Sequence, residues 1–87
     1  MEAVSEEKYR AAVAAEVASM LREQRLDRTL SMNALAERAG LSQQMISYVE
    51  RGMRNPSLET LLRITRALKL DLAEVIYHAQ ETAKKRQ

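Results

Sequence analysis

Two glycines, Gly40 and Gly52, constrain this chain most, because each follows a stretch of helical sequence and a short helix lies between them. Ser31 and Ser42 stand where the two helices should begin and are natural N-caps. A residue just past a helix C-terminus commonly takes a positive φ, which glycine adopts without strain. Residues 31–52 are therefore predicted to form two short helices joined by a tight turn.

The second of these helices has two different faces. On a wheel of 3.6 residues per turn, Met45, Ile46 and Val49 fall on one arc, which predicts the buried side. The opposite arc carries amides, hydroxyls and one arginine, and no carboxylate: Gln43, Gln44, Ser47, Tyr48 and Arg51. A glutamine amide offers a donor and an acceptor together, which matches the N6 and N7 edge of adenine in the major groove. The pattern therefore favours a helix that reads DNA.

The composition indicates an all-α fold. Trp and Phe are absent, glycine occurs twice and proline once, so the chain lacks the turn residues of a many-stranded sheet. With 87 residues it is expected to form one small domain.

The first helix is expected to begin near Ser5 and to run to about Leu26. Its apolar stripe consists of Tyr9, Val13, Val17, Met20 and Leu21. The alanine-rich part, residues 9–18, is longer than a compact module needs. It either packs on the last helix or meets a partner chain, and the sequence leaves both possibilities open.

Two further helices follow, with Ser57 and Asp71 as their predicted caps. The fifth helix carries an apolar stripe at i, i+3, i+4 and i+7: Leu72, Val75, Ile76 and Ala79. This stripe is either a dimer interface or the closure of the core within one chain. Beyond Gln80 the sequence turns polar and is expected to fray, with the basic cluster 84–86 either complementing the helix end or lying in solvent.

Charge and cysteine content narrow the function class. A net charge of +2 is weak evidence for a nucleic-acid partner, although basic residues outnumber acidic ones after Gly52. The absence of cysteine excludes disulfides and thiolate metal sites. The sequence has no apolar run of membrane length, and we expect no signal peptide. We expect a soluble cytoplasmic protein, associated with the nucleoid of a prokaryote or with phage DNA, and no membrane partner.

Neither catalysis nor metal binding is predicted. His78 is the single histidine, and no cysteine accompanies it. The Asp and Glu residues alternate with Lys and Arg, as on a solvated surface, and form no recognisable general acid/base pair. We therefore expect no enzyme, no metal, no cofactor and no small-molecule ligand.

Residues 30–76 resemble the Cro-like and phage-repressor-like helix-turn-helix family, also called the xenobiotic-response-element type. The motifs that carry the resemblance are Leu35-Ala36, Gly40-Leu41-Ser42, Ile46-Ser47, Val49-Glu50-Arg51-Gly52, Arg54-Asn55-Pro56-Ser57-Leu58 and the apolar positions Leu61, Leu62, Ile64 and Leu68. In size the chain is similar to restriction-modification controller proteins and short phage-type repressors. The resemblance implies a five-helix, lambda-repressor-like domain over 1–87 with an extended first helix, a core module at about 20–80 and the helix-turn-helix at 31–52.

The resemblance also implies roles for individual residues, since in this family the third helix lies in the major groove. The expected base-contacting residues are Gln43, Gln44, Ser47 and Tyr48. The expected phosphate-contacting residues are Ser42, Asn33, Arg51, Arg54 and Asn55. Alternatives without base contact remain: the glutamines are ordinary solvated side chains, and Tyr48 touches a phosphate or covers the edge of the core.

A structural ion pair between Arg25 and Glu50 is implied by the family as well. On the wheel Glu50 falls at the edge of the core face, where a buried carboxylate needs a partner. Two positions depart from the family pattern. Met32 replaces a glutamine that often binds phosphate, for which Asn33 is the possible substitute. The turn at 27–29 lacks the usual glycine, so the end of the first helix is expected to differ in shape.

The sequence therefore predicts a DNA-binding transcription regulator, homodimeric on an inverted repeat of double-stranded DNA. The alternative is a protein-interaction module of the antitoxin or bridging-factor type that uses the same fold.

Overall fold

The computed structural model describes residues 3–53 and 55–86, and every regular element within these ranges is an α-helix. The helices are α1 Ala3–Asp27, α2 Met32–Ala39, α3 Gln43–Glu50, α4 Leu58–Ala67 and α5 Leu72–Lys85. The predicted all-α, five-helix fold with an extended first helix is confirmed. None of these helices is long and apolar enough to cross a membrane.

Side-chain caps begin four of the helices, as the sequence predicts. Each cap oxygen accepts a backbone N–H at 2.9 to 3.1 Å. The cap residues are Ser31, Ser42, Ser57 and Asp71. Ser5 is an exception, because α1 begins earlier, at Ala3, and the serine lies inside its first turn.

The turn between α2 and α3 depends on Gly40. Its φ is 69°, and the N–H groups of Gly40 and Leu41 donate to carbonyls of the last turn of α2. A Cβ at this position would lie 3.0 Å from the Arg63 guanidinium, which itself donates to the carbonyl of Ala39 at 3.4 Å. The left-handed backbone conformation therefore favours glycine here, and a Cβ would in addition crowd the flexible end of the Arg63 side chain.

The turn between α1 and α2 achieves its reversal without glycine. Thr29 takes a φ of 53°, in the left-handed region that favours glycine. Its backbone N–H still donates to the carbonyl of Leu26 at 2.9 Å, so the helix end is satisfied. A β-branched residue in this conformation costs about 1 to 2 kcal/mol. The expected difference in the shape of this turn is therefore the left-handed conformation of Thr29.

The core is formed by buried residues from all five helices, including Val17 and Leu21 in the second half of α1. Its fully buried large apolar side chains are Leu21, Leu35, Ile46, Ile64 and Leu68. The α2 helix packs on α3 and α4, and α1 also contacts α3. Met32, the departure from the family pattern, packs against this core and is half-buried. A methionine at this position therefore contributes to packing.

The α1 helix makes its most extensive contacts with α5, which resolves part of the ambiguity about its length. Val17 is buried in the same cluster as Ala79, and Glu16 forms an ion pair with Arg86. Ala83 is fully buried. The expectation that the chain frays beyond Gln80 is therefore wrong, because packing against α1 extends α5 to Lys85.

The same packing corrects the assignment of the fifth-helix stripe. Val75 and Ala79 are 4% and 0% exposed in the chain's own core, so they cannot form a dimer interface. For these two residues the stripe closes the core within one chain. Leu72 and Ile76 are half-buried and remain accessible at the edge of the stripe.

Candidate nucleic-acid interface

The α3 helix is anchored by one face and open on the other. Ile46 and Val49 are buried against the core. The exposed side chains of the opposite face are Gln43 and Gln44, with Ser47 and Tyr48 half-buried one turn further on. The structure thus brings all four predicted base-contacting residues together on one surface.

Side chains suited to phosphate contact are exposed at both ends of α3, in the first turn of α2 and in the loop after α3. Ser42 is exposed and accepts the N–H of Met45 at 3.0 Å, which leaves its own O–H available as a donor. Asn33 is exposed in the first turn of α2, Arg51 is exposed at the end of α3, and Asn55 is exposed in the following loop. Arg54 lies outside the described residues.

The N-terminus of α3 favours an approaching anion. No acidic side chain lies in its first turn, so the unpaired backbone N–H groups and the positive end of the helix dipole meet no competing carboxylate from that turn. The same end carries both glutamines. A duplex that presents phosphates here would therefore place its base edges beside the amides.

Arg25 and Glu50 form a buried, bidentate ion pair. The Nε of Arg25 donates to Oε2 of Glu50 at 2.7 Å, and Nη2 donates to Oε1 at 2.9 Å. The remaining nitrogen, Nη1, donates to the carbonyl of Leu30 at 2.8 Å. Arg25 and Glu50 are 7% and 8% exposed. One guanidinium therefore joins the end of α1, the turn before α2 and the last residue of α3.

The ion pair also favours the charged form of the arginine. The hydrogen bonds with Glu50 raise the pKa of the Arg25 guanidinium above its ordinary value, while burial acts in the opposite direction. The arginine stays protonated in the folded chain. The pair joins the end of α1 to the last residue of α3 and so restrains the orientation of the reading surface, which is formed by Gln43, Gln44, Ser47 and Tyr48.

One contact within the reading surface is not predicted by the sequence reasoning above. The Nε2 of Gln44 donates to the Oη of Tyr48 at 2.7 Å. The two residues are four apart on α3, which is the spacing that places side chains next to each other on a helix. The spacing was thus a usable signal for this pair.

Comparison with known proteins places this geometry in a family. A family model described as helix-turn-helix matches residues 21–75, which include all of α2, α3 and α4. The chain belongs to the helix-turn-helix family. The resemblance carried by the sequence motifs is confirmed.

Several relatives of this helix-turn-helix protein are known. An uncharacterised HTH-type transcriptional regulator of Mycobacterium tuberculosis is 48% identical over 59 residues, which make up 68% of this chain and 41% of the relative. The chain thus spans less than half the length of that relative. Among solved structures, the restriction-modification controller protein C.AhdI of Aeromonas hydrophila is 35% identical, with a TM-score of 0.67 over 72% of this chain and 94% of the controller.

A second solved structure extends the similarity. The clp gene regulator ClgR of Corynebacterium glutamicum is 27% identical to this helix-turn-helix protein, with a TM-score of 0.76 over 85% of this chain and 79% of the regulator. Its coverage exceeds the 21–75 segment of the family model. The likeness therefore includes parts of the chain outside the helix-turn-helix itself.

Proposed function

We propose that this chain is a DNA-binding transcription regulator that reads the major groove of double-stranded DNA with α3. The observation that carries the proposal is that α3 exposes two adjacent glutamine amides while Ile46, Val49 and the Arg25–Glu50 pair fix the helix from behind. Base edges are contacted first by the two glutamines. Ser47 and Tyr48 lie one turn further on, within reach of the same groove.

Phosphate contacts set the register of α3 in the groove. The proposed donors are Ser42, Asn33, Arg51, Arg54 and Asn55. Arg51 carries a full charge at the C-terminal end of α3, and Ser42 stands at its N-terminal end. Contacts at both ends of an eight-residue helix leave the glutamines between them. We infer that this surface binds DNA and carries out no catalysis. Because the target is genomic DNA, the inferred location is the cytoplasm.

A homodimer on an inverted repeat completes the proposal. One short helix reads only a few base pairs, which discriminates too weakly against the many competing sites of a genome. Two copies related by a two-fold axis would place their reading helices in successive major grooves, about 34 Å apart. Doubling the site multiplies the discrimination.

The dimer interface is proposed to lie on α4 and α5. Leu58, Leu62 and Tyr77 are 66%, 43% and 59% exposed, and all three line one groove between these helices together with Leu72 and Ile76. Large exposed apolar side chains grouped in one groove of a small domain indicate an interaction site. The same groove contains Arg66, Lys69 and Asp71, so a two-fold contact can pair the basic residues of one copy with the carboxylate of the other.

Placing a charge in this groove is expected to separate the two copies. In Leu62→Glu a carboxylate from each chain would be buried in the dimer, so self-association should weaken at least about tenfold. Sedimentation velocity over a range of concentrations measures the effect. Leu26→Glu is the matched control, because Leu26 is a 50% exposed leucine at the end of α1 that does not line this groove. A dimer that persists in Leu62→Glu, or that is lost equally in Leu26→Glu, contradicts this interface.

Selection from a pool of random duplexes tests the proposed function. We expect enrichment of an inverted repeat whose half-sites lie about one helical turn apart, with affinity that falls as salt rises because phosphates are contacted. The selection is run at two salt concentrations to separate base reading from charge. If no sequence is enriched at either concentration, the proposal fails, and the protein-interaction alternative gains support.

A further inference from the structure

The contact between Gln44 and Tyr48 indicates that these two residues of the reading surface have different roles. We propose that Tyr48 is a positioning residue, whose hydroxyl holds the Gln44 amide in the orientation that reads a base. The 2.7 Å hydrogen bond from Nε2 of Gln44 to Oη of Tyr48 carries this inference, which rests on the proposed function. Tyr48 thereby determines specificity through Gln44.

The hydrogen-bonding capacity of glutamine makes the arrangement compatible with base reading. The Gln44 amide has two N–H donors and one carbonyl acceptor, and only one N–H is directed to Tyr48. A donor and an acceptor therefore remain, which are the two groups that pair with N7 and N6 of adenine. The tyrosine contact selects the direction of the amide and leaves its reading edge intact.

Conformational freedom explains why such a contact matters. A glutamine side chain is flexible and loses much rotamer freedom when it is fixed on a base. Tyr48 is half-buried, and its ring turns about only two side-chain torsions, so its hydroxyl is a firm anchor. With the amide already held in the free protein, less freedom is lost on binding.

The neighbouring glutamine provides an internal comparison. The Gln43 side chain is exposed, and its amide makes no hydrogen bond with any residue in the described part of the chain. The Gln44 amide is therefore held in one orientation before binding, whereas the Gln43 amide is not. Removing the Tyr48 hydroxyl should alter the base preference that depends on Gln44 and should leave the preference that depends on Gln43 unchanged.

The test measures Kd for the selected duplex, for its single-base variants and for random DNA. The proteins are the wild type, Tyr48→Phe, Gln44→Ala and the double variant. Tyr48→Phe keeps the ring and its packing, and we expect about 3- to 10-fold weaker binding to the selected duplex, with unchanged binding to random DNA. Its preference should relax at the base pair that Gln44→Ala affects. The double variant should bind no more weakly than Gln44→Ala alone, because the hydroxyl acts through the amide.

Tyr9→Phe is the matched control, since Tyr9 is a half-buried tyrosine on α1, outside both α3 and the proposed dimer groove, and should leave every affinity unchanged. Relaxed preference at a different base pair, or equal loss on selected and random DNA, would show that Tyr48 contacts DNA directly and would overturn the inference. Unchanged affinity in Tyr48→Phe would overturn it too. If the wild type itself binds no duplex selectively, the proposed function fails and this inference fails with it, whereas selective wild-type binding isolates the role of Tyr48.

Discussion

Replacing Arg25 with alanine is expected to lower the free energy of unfolding by about 3 to 5 kcal/mol. The substitution leaves the Glu50 carboxylate buried without the two charge-assisted hydrogen bonds that now satisfy it. It also removes the donor to the carbonyl of Leu30. Small domains are stable by only about 5 to 15 kcal/mol, so the variant should unfold at much lower urea concentration and lose a large part of its thermal stability.

Urea denaturation followed by circular dichroism measures this loss. Arg10→Ala is the matched control, because Arg10 pairs with Glu6 at 3.9 Å on the exposed surface of α1, where the expected effect is below about 1 kcal/mol. A second control replaces both partners, Arg25→Met with Glu50→Leu, which should recover much of the stability because no charge remains buried. An unchanged urea midpoint in Arg25→Ala would refute a stabilising role for the pair.

The pH dependence of this effect has a definite sign. Because the pKa of Arg25 is raised in the folded chain, the stability that depends on its proton is fully present below the ordinary arginine pKa and is lost only as the pH rises through the higher folded value. The arginine therefore adds no pH dependence to folding in the neutral range. The loss in Arg25→Ala should therefore have the same size across the neutral range.

Replacing either Gln43 or Gln44 with alanine is expected to cost about 1 to 3 kcal/mol in binding to the selected duplex and to relax preference at one base position. Both side chains are exposed and neither caps a helix or enters the core, so the free energy of unfolding should not change. Fluorescence anisotropy with the selected duplex and its single-base variants measures the affinity. Urea denaturation of the same variants checks that folding is intact.

Arg51→Ala is the control that separates base reading from charge. Arg51 is exposed at the end of α3, and as a phosphate contact its loss should weaken binding to all sequences alike and flatten the dependence on salt. The glutamine variants should show the opposite pattern. Equal losses on selected and random DNA in Gln43→Ala and Gln44→Ala would count against the assignment of these residues to base edges.

The helix boundaries of this fold could be predicted because they depend on local chemistry. A serine before a helix, or a glycine after one, acts through atoms a few residues away, and Ser42 and Gly40 take the predicted cap and left-handed conformations. Periodicity likewise predicted that Ile46 and Val49 would be buried. The exposure of Gln43 and Gln44 follows from the same wheel.

Contacts between distant parts of the chain were harder to predict. The end of α5 is held by Glu16 on α1, and no local signal at Gln80 reveals that partner. Val75 was indistinguishable from a dimer residue for the same reason, since its burial in the chain's own core is not visible in the stripe itself. In α4, Leu62 belongs to an apolar run of the sequence. The helix carries more apolar side chains than the core buries, and Leu62 lies at the surface.

The separation between anchoring face and reading face on α3 has a consequence for how such regulators diversify. The core beneath the helix is made by residues such as Ile46 and Val49, whereas the outward amides support neither packing nor caps. If Gln43 and Gln44 read base edges as proposed, exchanges at these two positions alter operator choice without changing the stability of the fold. A duplicated copy could acquire a new target by a handful of exchanges, and regulatory circuits that do not cross-react could arise from one ancestral architecture.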